Sequence, residues 1–194
     1  MLAPGPVYWK GERPVARLAD TTGTDAVADR IRLRRGGELT SLDRMLLHSP
    51  AIADGWNNFL GAIRTRAVLA ADLRELVILR VAALNDAAYE WNAHEPLARK
   101  AGLSETDIEA VRESAAPRLL SERREAVCAY ADAMTSSVEV PDQVFAAIKN
   151  HLSVREIVEL TATIAAYNLV SRFLVALEIT TEDDPLPRPA DERS

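Results

Sequence analysis

From Asp72 to Gly102 the chain reads DLRELVILRVAALNDAAYEWNAHEPLARKAG, and this stretch limits the fold more than any other. It is a long apolar run with Glu75 near its start and Tyr89, Glu90, Trp91 and His94 near its end. Two carboxylates and an imidazole set among so many Leu, Val, Ile and Ala residues are unfavourable unless they have partners or chemical work. The pattern predicts two helices. Asp72-Leu-Arg-Glu75 has the form of a capping box, with Asp72 as N-cap and Glu75 at N3. Asn85-Asp86 marks a break, Ala87 to Lys100 continues as a helix, and Gly102 stops it.

The rest of the chain follows the same habit. Helices are expected over Leu39 to His48, Ile52 to Ala67, from Ser104 to about Ser114, Ser121 to Ser136, Pro141 to Asn150, and from a capping box at Ser153-Val-Arg-Glu156 to Ile179. No segment alternates with β-branched residues, so the fold is expected to be all-α. The 194 residues suit one domain. Its expected limits are 39–180, after an irregular arm over 1–38 rich in Gly and Pro, within which Thr24 to Arg35 suits a short helix. The charged, proline-rich 181–194 reads as a disordered tail.

A net charge of -6 argues against holding a nucleic-acid backbone. The single cysteine, Cys128, permits no intramolecular disulfide and suits a reduced, cytoplasmic setting. In EAVCAYADAM it reads as a small buried hydrophobe rather than a reactive thiol. No basic leader is apparent, and no run reaches the ~18 uninterrupted apolar residues of a membrane span, so no membrane partner is expected.

Arg74-Glu-Leu-Val-Ile-Leu79 recurs as Arg155-Glu-Ile-Val-Glu-Leu160, each copy preceded by a helix and a short link. This internal repeat suggests duplication. In register with Glu75, the counterparts of Ala87, Glu90 and His94 are Asn168, Ser171 and Val175. The first half therefore reads as the working half and the second as scaffold.

Positions 87, 90 and 94 share a helix face, so Glu90 and His94 can meet. Such a pair can move protons, with the carboxylate orienting the imidazole or acting itself if burial raises its proton affinity. The bland alternative is an i,i+4 pair on a wet face. Glu75 has its own alternative as a capping residue. Tyr89 and Trp91 would shape a pocket. Arg172, one turn from Asn168 on the last helix, would hold a substrate carboxylate or else make a structural ion pair. Tyr167 reads as core. His48 and His151 stand alone, so no metal site is expected, and no Gly-rich phosphate loop, GxSxG or paired cysteines point to a cofactor.

The run RELVILRVAALNDAAYEWNAHEPLARKAGLS resembles the signature region of the carboxymuconolactone decarboxylase family, which includes the AhpD-like alkylhydroperoxidases. The segments LLHSP–GW at 46–56 and YNLVSRFLVAL at 167–177 support the likeness. The peroxidase branch carries a glutamate, eleven residues, a cysteine, two residues, a second cysteine, three residues and a histidine. Laid on this chain, the glutamate falls on Glu75 and the histidine on His94, while the cysteine positions are Ala87 and Glu90. The chain is thus similar to a cysteine-less YEWxxH variant.

The resemblance implies an AhpD-like helical fold, assembled as a homotrimer or homohexamer. Thiol peroxidase chemistry needs an attacking and a resolving thiol, which Ala87 and Glu90 do not supply. The decarboxylase branch needs neither cysteine nor cofactor. The expectation is therefore acid/base chemistry (decarboxylation, isomerisation or elimination) on a small organic acid or lactone, by His94, Glu90 and Glu75, with Tyr89, Trp91, Asn168 and Arg172 binding substrate. The alternatives are an AhpD-like redox protein that has lost its thiols and a non-enzymatic helical oligomer that binds a small ligand.

Overall fold

The computed structural model describes residues 16–112 and 121–180; the segment MLAPGPVYWKGERP and the tail from 181 lie outside them. Within the described residues the regular structure is all helical, as expected: α1 (Ala26–Arg35), α2 (Ser41–Leu46), α3 (Pro50–Thr65), α4 (Ala71–Leu84), α5 (Ala88–Lys100), α6 (Glu105–Arg112), α7 (Glu122–Ser136), α8 (Asp142–Lys149) and α9 (Val154–Leu177). The repeat is visible as α3–link–α4 and α8–link–α9.

Several boundaries have plain local causes. Asp25 caps α1 by accepting from the amides of Val27 and Ala28, and Gly36 ends it in the left-handed region at φ 89°. Pro50 occupies the first turn of α3, where its missing N–H has no intrahelical partner to lose. Asp86 makes the α4–α5 break at φ 54°, a conformation short polar side chains tolerate. Ser153 and Glu156 form the expected capping box on α9.

The box expected at Asp72 and Glu75 does not form. Helix α4 starts earlier, with Ala70 as N-cap and no side-chain cap. Both carboxylates are drawn elsewhere: Asp72 Oδ2 accepts from Arg124 of α7 at 2.9 Å, and Glu75 faces Arg74 and His94.

Helix α4 is the axle. Leu73, Leu76, Val77, Ile78, Leu79, Val81 and Ala82 are all buried, and the helix packs against α5, α6, α7 and α9. A helix apolar on all sides is stable only when covered on all sides. Its one buried cation, Arg80, pairs bidentately with Asp132 of α7 at 2.6 and 2.9 Å and donates to the Val111 carbonyl at the end of α6. Helix α9 is long and apolar enough, by length and composition, to cross a membrane. Here its Leu160, Ile164, Tyr167, Val170 and Leu174 face the common core, while Val154, Val158, Leu169 and Val175 are exposed.

Removing Asp132 would strand the buried Arg80 charge. Asp132→Ala is expected to lower unfolding free energy by about 3 kcal/mol or more in urea titrations. Removing the exposed partner of Arg30 with Asp54→Ala should change it by less than about 1 kcal/mol.

Candidate active site

Helices α4 and α5 bring Glu75, Glu90 and His94 together in one buried cluster. The His94 ring lies between them. Its Nδ1 is 2.7 Å from Glu75 Oε2, and its Nε2 is 3.7 Å from Glu90 Oε2. The first is a hydrogen bond and the second is too long to be one. An ionised carboxylate only accepts, so Nδ1 carries the proton and donates to Glu75. That leaves Nε2, in the neutral ring, as the acceptor. Arg74 Nε donates to the other oxygen of Glu75 at 3.1 Å.

Two residues the sequence pattern does not single out for chemistry complete the arrangement. Tyr167 of α9 is fully buried, with its hydroxyl 3.2 Å from His94 Nε2 and its ring edge-on to the imidazole at 89°. Arg64, in the last turn of α3, donates from Nε to the Tyr167 oxygen at 2.9 Å. Because that oxygen accepts from Arg64, its own proton is free to be donated to Nε2. The chain of bonds thus runs Arg64 to Tyr167 to His94 to Glu75. A buried tyrosine requires a partner for its hydroxyl, and that was the available signal. Nothing in the pattern around Arg64 points into the site.

The two glutamates sit in opposite electrostatic states. Burial pushes the Glu75 carboxyl up, but the bond and charge of His94, with Arg74, outweigh it and hold the group below the ordinary carboxylate range. At Glu90 burial wins: the charges of His94 and Arg64 offset it only in part, and the carboxyl is held above that range. Its Oε2 has no hydrogen-bond partner among the described residues. Burial also pushes the Tyr167 hydroxyl up to about 12, which keeps it a donor.

The remaining candidates lie around this cluster. Trp91 is buried under the Arg112 guanidinium of α6, 4.5 Å from its ring centre, and Tyr89 is buried in α5. Asn168 and Arg172 belong to another face of α9. Exposed Arg172 donates to Asn168 Oδ1 at 2.6 Å, and Asn168 is bonded to Asn85 and Thr135. Cys128 is buried in α7, and burial pushes its thiol up to about 12, far from the reactive range. His48 bonds the Ala19 carbonyl at the surface.

The opposite states of the glutamates predict opposite effects on stability. Glu75, below its unfolded value of about 4.3, contributes stability above that pH and loses it as pH falls through the folded value. Glu90, raised, contributes fully below about 4.3 and loses it as pH rises through its folded value. Thermal melts across pH should show Glu75→Gln less stable than the parent at neutral pH, with the gap closing in acid. Glu90→Gln should be more stable at neutral pH, with its advantage vanishing toward about pH 4.

Residues 50–133 match the model of the carboxymuconolactone decarboxylase family. No curated protein matches the sequence. Among solved structures, a protein of unknown function from Agrobacterium tumefaciens, described as a candidate antioxidant defence protein AhpD, is 25% identical. The match covers 73% of this chain and 94% of that one, with a TM-score of 0.63. The AhpD core of an uncharacterised peroxidase-related protein from Ralstonia eutropha is 20% identical over 89% of this chain and 95% of its own, with a TM-score of 0.72. The debrominase Bmp8, in complex with 2,3,4-tribromopyrrole, is 17% identical over 87% and 91%, with a TM-score of 0.69. The last two speak to the fold alone. The family match spans the segment that holds Glu75, Glu90 and His94, and the helical scaffold is the AhpD-like one; in that segment the chain is similar to the carboxymuconolactone decarboxylase family, and in its fold to AhpD-like proteins.

Proposed function

We propose that this chain is a thiol-independent member of the superfamily that moves protons on a small organic acid or lactone, in a decarboxylation, isomerisation or elimination. The observation that carries this reading is the His94 imidazole, bonded through Nδ1 to Glu75, with Nε2 facing Tyr167 and, at 3.7 Å, the Glu90 Oε2 that makes no hydrogen bond among the described residues. Pairs of titratable groups pushed apart by their surroundings are how one site supplies an acid and a base at one pH. His94 Nε2 would take a proton from the substrate, and the ionised Glu75 would stabilise the imidazolium that forms. Glu90, kept neutral by burial, would deliver a proton to the carbon or oxygen where electron pairs collect. Tyr167, polarised by Arg64, would donate to a developing oxyanion. No step requires a metal, a thiol or an organic cofactor.

The redox alternative is supported less well. The similar structures include proteins described as AhpD-like and peroxidase-related, but the thiol positions here are Ala87 and Glu90, and Cys128 is a buried thiol of weak acidity. Bmp8, a debrominase, indicates that this scaffold is not tied to peroxides. Assembly as a homotrimer or homohexamer and a cytoplasmic setting remain part of the proposal. Exposed apolar positions on α9 are compatible with such assembly.

The test is proton exchange. Small lactone acids and unsaturated acids are incubated with the protein in deuterated water and followed by NMR for deuterium uptake at carbon or loss of carbon dioxide. His94→Gln and Glu90→Gln should each slow turnover by about 100-fold or more, while Cys128→Ser leaves it unchanged. Full turnover by His94→Gln would exclude the acid/base reading.

A further inference from the structure

Helix α9 has an apolar outer face that the other described helices leave uncovered. Val158, Ala162, Ala165 and Leu169 recur along it at helical spacing, each exposed or half-exposed. The outer face of a helix in a globular protein is ordinarily charged, and an uncovered apolar one marks a place where something docks. In the N-terminal half of α9 this face deepens into a groove of about 470 Å³, walled by Tyr130 of α7 and Phe145 of α8 and floored by Val158, Ala162 and Ala165. The Tyr130 hydroxyl is engaged with Thr161 Oγ1 at 2.9 Å, so the groove offers aromatic and aliphatic surface. Its size suits two aromatic side chains.

The chain itself supplies an occupant of that chemistry. Residues 1–15 join the described structure at the far end of the same helix, where Arg17 is fastened. Its amide donates to the Leu177 carbonyl at 2.9 Å, its Nη1 to the Ala176 carbonyl at 3.1 Å and its Nη2 to Glu178 at 2.8 Å. After Arg17 the chain leads away to α1, with the Thr22 and Gly23 carbonyls bonded to Arg32, so the residues before it start beside the last turn of α9. In MLAPGPVYWKGERPV the apolar triplet is Val7-Tyr8-Trp9, preceded by Pro4 and Pro6. Extended proline-rich chain advances about 3.1 Å per residue, and a helix about 1.5 Å. Trp9, seven residues before Ala16, can therefore reach about 22 Å back along α9, and Ala162, fifteen residues before Leu177, lies about 22 Å from that end. Val7 reaches about 28 Å, level with Val158. Proline-rich segments dock in aromatic-lined grooves in this way, because they are extended beforehand and lose little entropy.

We infer that residues 1–15 fold back along α9 of their own protomer and seat Tyr8 and Trp9 in the groove between α7, α8 and α9. The point of attachment and the groove lie on one helix, so the contact is intramolecular and does not depend on protein concentration. The seated arm ties α7 and α8 to α9, the helix that supplies Tyr167 to the buried cluster. Copies that assemble through α9 then meet on the seated arm rather than on the bare helix.

Thermal melts of the full chain test this without any assay of activity. Trp9→Ala should lower the melting midpoint by about 4 °C or more, as loss of a buried aromatic contact does in a chain of this size. Val158 is 62% exposed, a position that tolerates replacement unless something covers it, so Val158→Asp should lower the midpoint likewise. Val138→Asp, at a valine 99% exposed and away from the groove, should leave it unchanged. The double variant Trp9→Ala/Val158→Asp should melt with the less stable single variant, because both changes remove one contact. A Trp9→Ala melt equal to the parent's, or full additivity in the double variant, would overturn the docking. The protomer is assigned by mild oxidation of a Cys128→Ser chain carrying Trp9→Cys and Ala162→Cys. A disulfide within one chain is expected; a disulfide joining two chains, or none, would overturn the seating of the arm on its own protomer.

Discussion

The hydrogen bond between His94 Nδ1 and Glu75 Oε2 is the constraint on which the site depends. It spans the break at Asn85-Asp86 and ties α5 to the axle helix α4 inside the core. Buried ions persist only when paired and bonded, and this contact, with Arg74, satisfies Glu75. It also fixes which ring nitrogen carries the proton. Once Glu75 takes the negative charge, a second charge at Glu90 is disfavoured by burial and by Glu75 itself. One bond therefore sets the tautomer of His94 and the charge of Glu75, while burial sets the opposed state of Glu90.

The surrounding helices hold that bond in place by means that leave the site free. Arg80 and Asp132 lock α4 to α7, and Arg35 and Asp43 lock α1 to α2. The internal repeat shows the same motif put to two uses. In α9 Glu156 caps its own helix through Ser153, a local role. In α4 the matching Glu75 is released from capping because the helix begins at Ala71, and it faces His94 instead. Ser171, the counterpart of Glu90, is buried with its hydroxyl unpartnered among the described residues. The second copy contributes Tyr167, so it is more than scaffold.

Much of this was legible in the sequence. Helical periodicity, the Asn85-Asp86 break and the stop at Gly102 are local signals, and the helices appear where those signals lie. The meeting of Glu90 and His94 follows from i,i+4 spacing, and the face they share is buried. Glu75 was legible as a candidate, but its supposed capping role was not separable from chemistry, because both uses look alike until the helix start is known. Tyr167 and Arg64 were hidden for a different reason. Their partners stand 73 and 103 residues away in sequence, and no local pattern encodes such contacts. Arg172 illustrates the reverse: a cation on an apolar helix draws attention, and here it bonds its own neighbour Asn168.

Acid/base work at this site requires the two carboxyls around His94 to be in different protonation states. The direct measurement is NMR of the protein with carbon-13 in its glutamate carboxyls, titrated from acid to alkaline pH, with Glu75→Gln and Glu90→Gln assigning the two resonances. The account predicts that Glu75 titrates below the ordinary carboxylate range and Glu90 above it. Both resonances titrating together within that range, or Glu90 below Glu75, would contradict it.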